Sequence, residues 1–229
     1  MTLHPTSPPP LLRRLPAAGW IAALLLASTL HAAPPEAGAV QTGWILEKLA
    51  RPAPSRTGFV ELRGSPLLKE PLRISGEYQR PSEGVLVREV NAPYAETTTI
   101  TDSEVTIARA GKRPRTFALS RAPELAGLQA SFGALLTGDR TQLEQHYRVT
   151  SSGSRGNWTM TLKPRQAELA AKLERVALYG RGAELRCIET VPAGKGELQR
   201  TLMAGAARSA SDIRDPAALT ALCRGQSGG

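Results

Sequence analysis

Side chains that could do chemistry are scarce in this chain, and their spacing restricts them further. The 229 residues include 3 histidines and 2 cysteines. His4 and His31 fall in an N-terminal segment that reads as a leader, which leaves His146 as the only histidine beyond it. A Ser-His-Asp hydrolase would have to be built on His146, in the strand-like run Gln145-His146-Tyr147-Arg148-Val149, and His146→Ala would abolish its activity. A two-histidine metal site is impossible, two cysteines cannot make a four-cysteine zinc site, and no cofactor is expected. Cys187 and Cys223 are too far apart for a CxxC redox motif. In an oxidising compartment an even pair favours a disulfide, the alternative being two unlinked buried thiols.

The charge balance is positive, with 29 Lys+Arg against 20 Asp+Glu and a net of +9. Along the sequence the cations are scattered singly, as at Arg63, Lys69, Arg73, Arg80, Arg88, Arg109, Arg121 and Arg140. Lys112-Arg113-Pro114-Arg115 is the one cluster, and it falls where a turn is expected. No aromatic stacking platform is interleaved with these residues, so nucleic acid is not an expected partner. An anionic membrane surface or lipid headgroup is the nearer counterpart.

The elements that must position these residues begin after the leader. Arg13-Arg14, the uncharged apolar run Leu15 to Leu30, and the small residues Ala32-Ala33 before Pro34-Pro35 predict a signal peptide over 1–33. The apolar run is short of the ~20 residues that a membrane span wants. No cysteine follows it to be lipidated. A soluble, periplasmic mature protein is therefore expected, with 34–40 as a linker.

Gln41 to Arg51 predicts a short helix stopped by Pro52. From Thr57 the apolar period changes from helical to two. Leu72, Ile74, Gly76 and Tyr78 alternate with Arg73, Ser75, Glu77 and Gln79, which describes a strand with one wet face. Short strands follow over 85–90, 97–101, 105–109 and 115–119. Ala122 to Thr137 interrupts them with Leu125, Leu128, Phe132 and Leu135 at helical spacing, and Gly138 is placed to cap that helix. Strands resume over 143–150 and 158–163, a short helix follows Pro164, and strands at 174–179, 184–191 and 198–204 complete the set. Asp215-Pro216 starts a terminal helical turn in a 211–229 tail. The fold expected is mainly β: an incomplete antiparallel β-barrel of about 10–11 strands over 41–210, with helices covering a concave apolar face.

Several motifs, in order, resemble the periplasmic lipoprotein-carrier family LolA. They are Gly76-Glu77-Tyr78-Gln79-Arg80-Pro81 before Val85 to Val90, Thr101 to Ile107, Phe132 to Leu136, Trp158 to Pro164, and Val176 to Cys187. Together they span roughly 41–205. The resemblance implies a binding protein rather than an enzyme, a monomer that carries acyl chains in a hydrophobic cavity. Its cargo would be a lipoprotein or a glycolipid or aryl-polyene lipid, taken from an inner-membrane transporter and given to an outer-membrane acceptor. Arg80 matches the arginine that hydrogen-bonds the lid backbone and holds the empty cavity shut. Ile74, Tyr78, Leu128, Phe132, Leu135, Trp158 and Met160 would line the acyl-chain site. The cysteine pair and the positive balance depart from the family's shared pattern, which bears on the cargo. A half-barrel sensor that binds a periplasmic protein segment is the main alternative, and a lipid hydrolase the lesser one.

Overall fold

The computed structural model describes residues 39–64, 67–121, 133–213 and 215–225. The predicted signal peptide, and Leu128 and Phe132 of the predicted lid, lie outside the described residues.

Among the described residues, eleven antiparallel strands form one sheet. They are β1 (Ser55–Arg63), β2 (Leu72–Arg80), β3 (Leu86–Ala92), β4 (Glu96–Ile100), β5 (Glu104–Arg109), β6 (Arg115–Ala118), β7 (Tyr147–Ser154), β8 (Asn157–Pro164), β9 (Leu173–Arg181), β10 (Glu184–Pro192) and β11 (Gln199–Met203). The sheet order is β6-β5-β4-β3-β2-β1-β11-β10-β9-β8-β7. Two meanders therefore meet at the β1–β11 seam, and β6 and β7 are the two ends of the strand order. The sheet does not close, so the incomplete barrel expected from one-sided strands is the architecture found. The chain must run from one edge to the other between β6 and β7. The described part of that connection packs on the concave face, as a helical turn α2 (133–137) and α3 (Arg140–His146), and the short helix expected after Pro164 is α4 (Ala167–Ala170). The helix α1 (Thr42–Leu49) lies on the same face with Ile45, Leu46 and Leu49 buried.

Period-two alternation places Phe59, Ile74, Val90, Trp158, Met160, Leu162, Leu178 and Ile188 in one core with Ala134, Leu135 and Leu143. The opposite face carries its own apolar layer. There Val60, Leu62, Cys187 and Leu202 are covered by α5 (Ala204–Ser209) and α6 (Pro216–Cys223). Asp215 caps α6 by accepting from the Ala218 amide at 2.7 Å, with Pro216 in the first turn. Cys187 and Cys223 form a disulfide that ties α6 to β10. The expected terminal turn is thus an eight-residue helix integrated into the convex layer. Val40, expected in the linker, is buried, and its amide donates to the Gly153 carbonyl on β7 at 3.0 Å.

Two local expectations are corrected. Residues 143–146 are helical, because Asp139 accepts from the Gln142 amide at 2.9 Å and nucleates α3. His146 therefore ends a helix instead of lying within a strand. The chain at Ala204 turns into α5 where a strand was expected to end.

Beneath α6 the convex layer buries one carboxylate, Glu189. It accepts from Tyr179 Oη at 2.9 Å and from Arg200 Nε at 2.9 Å, with Arg224 Nη2 at 3.5 Å. Burial pushes its pKa up, but hydrogen bonds from Arg200 and Tyr179, with the charges of Arg200 and Arg224, outweigh that and hold it below the ordinary value. A folded-state pKa below the unfolded one gives stability that is fully present above the unfolded value of about 4.3. That stability is lost as pH falls through the folded pKa. The melting-temperature gap between wild type and Glu189→Gln should therefore stay level above about pH 5 and narrow below it. A gap that widens on acidification would show the sign to be wrong.

Candidate functional site

The concave face carries an apolar cavity of about 200 Å³ at the end of the sheet where α1 finishes. Leu49 and Arg51 supply one wall, Tyr78, Arg80 and Leu86 the floor, and Leu135 and Leu136 of α2 the roof. Leu185 and Met203 close the far side. Strand periodicity delivers these residues: Tyr78 and Arg80 lie two apart on β2, and Leu86 starts β3 on the same face.

Arg80 is buried, 6% exposed, at the cavity edge. Its Nη1 donates to the Arg51 carbonyl at 2.7 Å, and its Nη2 donates to Glu83. The resemblance implied a bond from Arg80 to lid backbone. Among the described residues, the link to α2 passes through the neighbouring peptide, where the Arg51 amide donates to the Leu136 carbonyl at 2.9 Å. The Arg51 side chain completes this joint by donating to the carbonyls of Lys48 and Ala50 at 2.9 Å and of Ala183 at 3.1 Å. Arg51 was not singled out by sequence reasoning, since a lone arginine before a proline carries no signal of the carbonyls that converge on it.

Of the predicted acyl-chain residues, Tyr78 and Leu135 line the cavity. Ile74, Trp158 and Met160 are fully buried in the core beside it, and Trp158 Nε1 donates to the Gly182 carbonyl at 3.0 Å. Leu128 and Phe132 are outside the described residues. His146 makes no side-chain hydrogen bond among the described residues.

A charged cluster adjoins the cavity, and sequence reasoning missed it as well. Glu61 is buried on the concave side of β1 and accepts from Arg88 Nη2 at 2.8 Å and Arg63 Nη2 at 2.6 Å. Arg88 lies over the Phe59 ring, 4.9 Å from its centroid, and Phe59 contacts Tyr78 with centroids 4.7 Å apart. Burial pushes the Tyr78 phenol up against the lowering effect of Arg88. One side of Tyr78 thus faces an apolar space and the other an arginine–carboxylate network. The available signal was an acidic residue at an inward-facing position of β1.

No helix among the described residues is long and apolar enough to cross a membrane. None of the curated proteins matches the sequence. Among solved structures, a LolA superfamily protein from Nitrosomonas europaea, NE2245, matches at 11% identity with a TM-score of 0.40, over 72% of this chain and 92% of that one. The MucA/MucB complex of Pseudomonas aeruginosa matches at 17% identity with a TM-score of 0.36, over 72% of this chain and 56% of that one. Similarity at these levels says nothing about what this chain binds. The family described as outer membrane lipoprotein carrier protein LolA-like matches residues 32–226, most of the sequence. The chain belongs to this LolA-like family.

Proposed function

We propose that the protein is a periplasmic carrier that takes the acyl chains of a lipoprotein or a glycolipid into the concave face and shuttles them from the inner towards the outer membrane. The observation that carries this reading is the apolar cavity between α1, α2 and the sheet. At about 200 Å³ it is smaller than the ~300–1,000 Å³ of ordinary small-molecule sites. A long chain enters only if α2 moves away from the sheet. Each CH₂ then buried contributes about 0.8 kcal/mol. Re-closure of α2 over its own apolar contacts, Leu135 foremost, offsets that gain and permits release.

In this scheme Arg80 biases the closed state through the Arg51 peptide. Losing a hydrogen bond from a charged donor costs about 1.5–3 kcal/mol. Arg80→Leu should therefore raise the retention of a fluorescent fatty acid by about 10- to 100-fold. Glu83, exposed in the native protein, stays solvated in the variant. Unchanged retention would remove Arg80 from the mechanism.

The reading as a whole is tested by native mass spectrometry of protein taken from the periplasm, with lipid analysis of its organic extract. A stoichiometric acyl-bearing adduct supports a carrier and identifies its cargo class. A clean apo mass, with no uptake of offered lipid, would replace the carrier by a half-barrel that binds a protein segment.

A further inference from the structure

Cations that look scattered in the sequence are gathered by the sheet. The pairings Arg63 with Leu72 and Gln199, Val90 with Glu96, Ile107 with Arg115, Arg148 with Lys163, and Pro192 with Leu173 all fall at one end. The β1–β2, β3–β4, β5–β6, β8–β9 and β10–β11 connections are therefore neighbours there. Five of the six lysines in the chain occupy this end, all exposed: Lys69, Lys112, Lys163, Lys172 and Lys195. Glu70, Glu168 and Glu197 are the acids in the same connections, and Arg113 and Arg165 add to the positive excess.

Two further observations point the same way. Arg148 and Lys163 stand directly opposite each other on β7 and β8, and neither makes a side-chain bond among the described residues. Like charges in that position repel, so an anion from outside would relieve them. Among the described residues, the large hydrophobic side chains most exposed to water are also at this end. Leu67 is 93% and Leu68 48% exposed in the β1–β2 connection, and Tyr94 is 38% exposed in the β3–β4 turn.

Aliphatic and aromatic tips ringed by lysines suit the boundary of an anionic bilayer, where apolar tips enter below the headgroups and ammonium groups meet phosphates. Protein–protein interfaces are instead depleted in lysine. We propose that this end of the sheet docks on a bilayer surface containing anionic lipid, with Leu67 and Leu68 inserted and the lysines on lipid phosphates. The cavity beside Arg80 opens at the other end, so docking and ligand uptake are separable.

The test is co-sedimentation of the full chain with vesicles of phosphatidylethanolamine and phosphatidylglycerol, compared with vesicles of phosphatidylcholine. Binding should favour the anionic vesicles and weaken with added salt. A lysine near an anionic leaflet is worth roughly fivefold in affinity, so Lys69→Glu/Lys112→Glu/Lys195→Glu should lose at least about a hundredfold. Leu67→Asp/Leu68→Asp should lose binding with an unchanged melting temperature, because both side chains stand in solvent. Arg121→Glu/Arg181→Glu, away from this end, should bind as wild type does. Equal binding to both vesicle types, or equal loss from the Arg121/Arg181 variant, would overturn the proposal. So would binding to native membranes that vanishes once their proteins are shaved by protease, which would make the partner a protein. Uptake of a fluorescent fatty acid in solution separates the two readings. Uptake without docking defeats only this proposal, and docking without uptake defeats only the carrier.

Discussion

Replacing Gly180 with alanine should destabilise the fold by about 3–5 kcal/mol, nearly as much as deleting the Trp158 side chain itself. Trp158 and Gly180 are direct partners across β8 and β9, and the indole lies over the glycine. A Cβ at position 180 would fall far inside van der Waals contact of the ring atoms Cζ2, Cε2 and Cη2. The ring cannot swing aside cheaply, being 1% exposed in the core and held by its bond to the Gly182 carbonyl at 3.0 Å. It must leave, taking with it most of the burial that makes a core tryptophan valuable. The double variant is the decisive measurement. Once Trp158 is alanine, the three atoms nearest to a Cβ at 180 are gone, and in a strand alanine is favoured over glycine by a few tenths to about 1 kcal/mol. Urea melts of the four proteins should show Gly180→Ala strongly destabilising alone and near neutral or stabilising beside Trp158→Ala. Additive costs would mean that the ring is not what fills the space above Gly180.

Pairings of this kind explain how much of the molecule could be read from the chain alone. Strands were legible where apolar and polar residues alternate, as in Leu72 to Gln79, since alternation is forced by the pleat, although none of these residues is exposed in the folded sheet. The 140–146 region was not, because Leu143, Tyr147 and Val149 fit either a strand or the end of a helix. An aspartate cap at 139 decides between them through one hydrogen bond. The disulfide was legible from cysteine count and expected compartment. The resemblance singled out Arg80 but implied a bond to lid backbone; that its Nη1 meets the Arg51 carbonyl instead depends on where α1 ends in space.

Glu61 and the lysine-rich end were hidden for a more general reason. Both arise from residues far apart in sequence that only strand order brings together. Arg88 reaches Glu61 on β1 from β3, 27 residues further along the chain. The five lysines come from one strand and four different connections. Local pattern carries no information about such convergence.

The two faces of the sheet also differ in how they are fastened, and the disulfide makes that difference measurable. Removing it as Cys187→Ala/Cys223→Ala should cost about 3–4 kcal/mol on the chain-entropy model for a loop closed across 36 residues. In a chain of this length that is a fall in Tm of roughly 6–16 °C. Part of any loss in the alanine variant comes from two missing sulfurs, since both cysteines are fully buried. Wild-type protein unfolded and refolded in reductant keeps the sulfurs and loses only the cross-link, so it isolates the entropic part. A reduced protein as stable as the oxidised one would leave the bond with no stabilising role.

The convex layer has further fastening around the bond. Arg73 donates to the carbonyls of Ile213, at 3.0 Å, and Ala210, and the Glu189 network holds Arg224 at the end of α6. Among the described residues, the roof on the concave side is tied down by a backbone bond from Arg51 to Leu136 and by apolar contact. Reduction should therefore lower the melting temperature while leaving fatty-acid uptake unchanged, because α6 and the cavity lie on opposite faces of one sheet. Uptake that falls together with stability would mean that the sheet transmits the loss of α6 to its concave face. The carrier would then depend on an oxidised convex layer to keep its binding face in shape.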